Sequence, residues 1–299
     1  MTQWLDDIPV AGALSDDALA AKLGEEVAPQ PPAVAQLYES TGKLSFSWLF
    51  GTPAWRHTSH IFGFIPQDGA ADGSNGTAIQ SLKTAKADPS LKGTRLRISL
   101  NGLRVADYPG GGIHRVLFNF FTQNRTKHGV DDVNFNATYR IAEGEHAAVL
   151  NYPIFIGVAP PETGLVIRCF TVNVKNDNDE RFLDLLESDT FKLGLHLVET
   201  AQPALAPLSS LAVGMTRAIA ERHRNVAVQD VYLGLDYGGL VTGARLAPGS
   251  YVAVQAPAAF LRSWHWTDWS YNPDTGQIVN QAGELMPLNY FILGITTLP

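Results

Sequence analysis

From residue 133 to 141 every second side chain is apolar: Val133, Phe135, Ala137, Tyr139 and Ile141 alternate with Asn134, Asn136, Thr138 and Arg140. A period of two marks a strand with one face in a core and the other in water. The rhythm returns at Leu96, Ile98 and Leu100, and again at Phe191, Leu193, Leu195 and Leu197. Runs at 154–158 and 165–174 are apolar almost throughout, which suits strands buried on both faces. The apolar density over 43–66 predicts a first strand pair, and residues 67–89, small and polar, a surface loop.

Further strands are predicted over 226–235, 251–255 and 264–271. The turn Asn272-Pro-Asp-Thr-Gly276 folds the last of these back onto Gln277-Ile-Val279. One run changes phase: Val226 and Val228 share a parity, whereas Val231, Leu233 and Leu235 have the other. A β-bulge near Gln229-Asp230 would return both sets to the core face.

Two helices are predicted within this region. One covers 178–187, with Phe182, Leu183, Leu185 and Leu186 to one side; the other covers 208–223, with Leu208, Leu211, Met215 and Ile219 at helical spacing. Strands and helices do not take turns as a doubly wound parallel sheet requires. The expected fold is mainly β: a two-sheet antiparallel β-sandwich with two helical crossovers and an extended N-terminal arm. Hydrophobic residues at 45 % fill a core, while 17 % charged residues with 27 Gly and 18 Pro fit a turn-rich chain. The body, residues 43–299, is read as one domain.

Residues 1–42 differ. Trp4, Leu5 and Ile8 cluster beside Asp6 and Asp7, and Ser15 precedes Asp16 and Asp17. A capping hydroxyl followed by acids is a helix start. Leu14, Ala18, Leu19 and Leu23 fall on one stripe, so a short amphipathic helix is expected from residue 16, stopped by Ala28-Pro-Gln-Pro-Pro32. This segment is either a free tail or an arm that docks Trp4, Leu5, Ile8 and Leu19 on a partner or a neighbouring subunit.

The formal net charge is −7, and the 22 Lys and Arg form no dense run. Neither nucleic acid nor an anionic membrane surface is an expected partner. No apolar run reaches the roughly 18 residues that span a bilayer. A single cysteine, Cys169, allows no intrachain disulfide, and the first residues lack a secretion signal, so a cytoplasmic location is expected.

The motifs that carry chemistry are few. Tyr108-Pro-Gly-Gly-Gly-Ile-His114 precedes a strand-like run rather than a helix, so it reads as a turn and not a phosphate loop. Asp177, Asp179 and Glu180 offer oxygen ligands for calcium, the one cofactor in view, or act as helix caps. His57 and His60 would point to opposite faces of a strand, which does not make a zinc pair. Cys169, between Ile167, Phe170 and Val172, reads as a small buried hydrophobe. No Gly-x-Ser-x-Gly elbow occurs.

Half of the six tryptophans fall in Trp264-His-Trp-Thr-Asp-Trp269. On a strand Trp264 and Trp266 share a face. Exposed, that face stacks a sugar or anchors a protein; buried, it closes the body. The expected function is non-enzymatic protein–protein interaction or assembly, as an adaptor or subunit, through the arm and the aromatic C-terminal hairpin. Two alternatives are a carbohydrate- or calcium-binding module, and a hydrolase using some of His57, His60, His114 and His265.

Overall fold

The alternating segments form strands in the computed structural model, which describes residues 9–23, 52–68, 76–174, 195–196, 226–238 and 244–298. In chain order they are β1 (Ser59–Pro66), β2 (Thr77–Ala78), β3 (Gln80–Ser81), β4 (Leu96–Val105), β5 (Ile113–Thr126), β6 (Gly129–Ala142), β7 (Glu145–His146) and β8 (Tyr152–Val158). Then follow β9 (Leu165–Asn173), β10 (Leu195–His196), β11 (Val226–Asp236), β12 (Ala244–Arg245), β13 (Gly249–Ala256), β14 (Trp269–Asn272), β15 (Gln277–Asn280) and β16 (Tyr290–Thr297). One α-helix, α1 (Asp16–Leu23), precedes them.

The protein is mainly β, and the described residues form three sheets. The largest runs β10-β8-β4-β16-β13-β1-β3, with β7 added on β4; the second runs β12-β11-β9-β5-β6; the third is β15-β14-β2. Pairing is antiparallel apart from β10 on β8 and β12 on β11. The clean alternation at 133–141 lies in β6, which pairs with β5 from Ile113↔Ala142 to Thr126↔Gly129.

The phase change in β11 is a bulge. Its register on β9 shifts between Ala227 and Gln229, one residue ahead of the expected place. The effect is the expected one, because Val226, Val228, Val231, Leu233 and Leu235 all join the same core cluster.

That cluster gathers residues from the two larger sheets. Phe118 of β5 meets Phe291 of β16 edge-on at 5.1 Å, and Phe135 of β6 meets Phe155 of β8 at 6.3 Å. A second cluster forms on the opposite face of the largest sheet. In β13, Tyr251 and Ala253 belong to the first cluster, Val252 and Val254 to the second. The third sheet closes this second face with Trp269, Tyr271 and Ile278. Period-two alternation therefore builds two cores, one on each side of one sheet.

Several expectations are corrected. Residues 264–271 are not one strand: a 3-10 turn, Trp266–Asp268, interrupts them, and the strand begins at Trp269. The polar stretch 67–89 carries β2, β3 and the turn Leu82–Thr84, anchored by buried Ile79 and Leu82. The predicted helices at 178–187 and 208–223, and the strand expected before residue 52, lie outside the described residues.

The N-terminal segment is the larger surprise. The helix starts at Asp16 as expected, with the Ser15 hydroxyl accepting from the Ala18 N–H at 3.3 Å. Of its stripe, Leu19 has no exposed surface and Leu14 is partly buried, while Ala18 is exposed; Leu19 and Ala11, ahead of the helix, belong to the first core cluster. Residues 9–23 are packed into the body, because Leu19 finds its apolar surroundings within its own chain.

Candidate functional site

The C-terminal aromatic group is assembled by a turn, not a strand face. The chain leaves β13 through the 3-10 turn Ala258–Leu261, reverses, and passes Trp264 and Trp266 before entering β14 at Trp269. Trp264 stacks on Trp269 with ring centroids 5.9 Å apart and planes 5° apart, and meets Trp266 edge-on at 5.5 Å. Both geometries are favoured by the ring quadrupoles. Trp266 is buried, and its Nε1 donates to the Phe62 carbonyl at 3.1 Å. Gly63 makes room for it: a Cβ there would lie 2.7 Å from both Trp266 Cζ2 and Ile79 Cγ2.

Of the two tryptophans singled out by sequence, Trp266 thus lies in the second core, and Trp264 is half-buried against it. The outward part of the hairpin is Trp264 with exposed Leu261, Arg262 and His265. The sequence did not reveal Trp269 as the stacking partner of Trp264.

The second surface is the seat of the N-terminal segment. Val10 forms a parallel bridge with Ala227, at the outer edge of β11. Arg56 donates through one NH to the Leu14 carbonyl at 3.2 Å and pairs with the Asp16 carboxylate. The Arg56 guanidinium lies 4.4 Å over the Trp55 ring, a cation–π contact that fixes its direction. Gly12 passes so close that a Cβ on it would meet the Arg56 carbonyl at 2.5 Å. Leu19 fills the core beyond. Trp4, Leu5 and Ile8 lie outside the described residues, as do Asp177, Asp179 and Glu180.

Beneath the seat runs a buried amide network that the sequence reading missed. Gln255 Nε2 donates to the carbonyls of His57 at 2.6 Å and Val228 at 2.9 Å, joining the two larger sheets. The Asn289 amide reaches Gln255 Oε1, and its Oδ1 accepts from the N–H groups of Ala106 and Asp107. Asp107 Oδ2 accepts from Ala54 N at 3.0 Å. Burial, aided by nearby Glu143, lifts the Asp107 carboxyl to about 6. The legible signal was a lone amide inside an apolar run: Val254-Gln255-Ala256 and Leu288-Asn289-Tyr290.

His57 and His60 are each pushed down to about 4 by burial, which keeps them neutral. His114 is buried with its Nε2 4.0 Å from Glu143, whereas His265 is exposed. Cys169 is wholly buried, and desolvation raises its thiol well above the ordinary range. The three glycines 110–112 all take positive φ in the turn leading to β5, so a strand follows them and not the helix a phosphate loop needs. Among the described residues no group of three or more His, Cys, Asp or Glu is arranged to hold a metal ion. No helix among them is long and apolar enough to cross a membrane.

The class defined by these features is a β-rich domain with a docked N-terminal segment and an aromatic hairpin. No protein-family model, no curated protein and no solved structure matches this chain.

Proposed function

We propose that this is a non-enzymatic interaction or assembly protein, an adaptor or subunit, that engages protein through its N-terminal segment and the outward part of its aromatic hairpin. In this reading the two larger sheets are the halves of an antiparallel β-sandwich, with helical crossovers in the stretch between β9 and β11. The observation that carries it is the way residues 9–23 are held. A backbone bridge to a strand and an apolar side chain of a short helix set in a groove are among the ways in which proteins bind peptides. Leu261 and Trp264 add an apolar contact point on the hairpin, and Trp is among the residue types that dominate binding hot spots.

Light scattering of the full chain across a concentration series, with saturation binding to any co-purifying protein, tests this reading. The same measurements on Leu261→Asp and on a chain lacking residues 1–8 should show weaker association. Both changes leave Ala11 and Leu19 in place. A full chain that stays monomeric at its highest soluble concentration and binds no protein saturably would sink the proposal.

A further inference from the structure

The seat of residues 9–23 is built entirely from parts of the chain distant in sequence: Ala227 at the edge of β11 and the turn Ala54–Arg56. Nothing in these contacts depends on the segment being joined to the same chain. The bridge to Ala227, the Arg56 bond to the Leu14 carbonyl, the Arg56–Asp16 ion pair and the Leu19 plug would be identical with the segment of another copy. The joining stretch, residues 24–51, leaves the segment at Leu23 and re-enters the body beside the seat at Thr52. Its contour length is on the order of 90 Å fully extended, ample to reach a neighbouring molecule.

We propose that this seat receives residues 9–23 of a second copy of the chain, so that copies assemble by exchanging N-terminal segments. The proposal rests on the assembly reading above and supplies its geometry. Exchange retains each of these contacts of residues 9–23. What opposes exchange is the entropy of bringing two copies together, so the exchanged form grows with concentration. The seat also selects its occupant. Only a segment with no Cβ at the position of Gly12 passes the Arg56 carbonyl, and the clamp wants a carboxylate four residues later.

The test uses full-length chains carrying one new cysteine each, Val10→Cys or Ala227→Cys, the two residues of the backbone bridge across the seat. Cys169 is buried and does not compete. The two variants are mixed in equal amounts, incubated over a range of concentrations and oxidised with copper–phenanthroline. A disulfide-linked heterodimer that increases with concentration is the expected result. The double variant, Val10→Cys with Ala227→Cys, shows that the pair can close. If it closes within one chain while mixed single variants stay unlinked at every concentration, exchange is overturned. Light scattering of the unaltered chain gives a second readout independent of the substitutions, and a strict monomer also overturns exchange. An unaltered chain that assembles without the cross-link removes exchange alone and leaves the broader assembly reading standing.

Discussion

The side-chain amide of Asn289 donates to the side-chain carbonyl of Gln255 at 2.9 Å, in a place where neither residue has any exposed surface. Through this bond the start of β16, the end of β13 and the β4–β5 connection share one polar network. Buried amides of this kind stabilise only when fully partnered. Asn289→Ala strands the N–H groups of Ala106 and Asp107 and frees the Gln255 carbonyl. The expected loss is about 3 kcal/mol, read as a lower urea midpoint at unchanged slope. A loss under about 0.5 kcal/mol, the usual range for surface sites, would mean that the network is not closed in solution.

Stability should fall on acidification. Below about 6.5 the unfolded chain takes up protons that folded His57, His60 and His146, each held near 4 by burial, refuse. Greater proton binding by the unfolded state means loss of stability from about pH 6.5 down to 4. Asp107 works the other way. With its carboxyl lifted to about 6, its contribution is greatest at low pH and is lost as pH rises through that value. Three groups outweigh one, and His60, the most deeply buried, contributes about 2 kcal/mol of loss by pH 5. Urea midpoints at pH 5 and 7.5 check this: His60→Gln should narrow the gap and Asp107→Asn should widen it. A flat pH profile would contradict the account.

Gly63→Ala should cost about 1–3 kcal/mol, because the new methyl meets the Trp266 ring and Ile79 where no flexible end can yield. A shift in tryptophan emission should accompany the loss, since the notch holds an indole directly. Unchanged emission and melting temperature would argue that Trp266 sits elsewhere.

The two leucines nearest the proposed contacts should behave oppositely. Leu19→Ala opens a cavity in the first core and should cost about 2–5 kcal/mol. Leu261→Ala, at a residue 55 % exposed, should stay within about 0.5 kcal/mol. Equal effects in thermal melts would show that residues 9–23 are not seated in the body.

Cys169 should resist thiol reagents in the native state at pH 8 and react fully in denaturant. Its burial removes access and raises its pKa, and both lower the supply of thiolate. Rapid native labelling would place it outside the core.

The strands were the legible part of this chain, because one-sided burial writes itself as alternation in β4 and β6 and as broken phase in β11. The C-terminal tryptophans misled for a physical reason. Positions 264, 266 and 269 fit a strand followed by one more residue as well as they fit a turn that stacks the first ring on the last. Only the notch at Gly63 decides between them, and it lies some two hundred residues away. The α1 stripe was equally visible, but an apolar stripe does not record whether it faces its own body or another's. Arg56 and Asp107 left no pattern at all, since their roles come from contacts with distant main-chain groups.

The Leu19 plug and Arg56 clamp have one more consequence. If the chain were nicked anywhere within residues 24–51, its first residues would become a ligand of the remainder. Dilution would then release them and higher concentration restore them, with no bond remade. The body would be left with an opening shaped for Leu19, and a synthetic peptide of residues 9–23 would be its natural competitor.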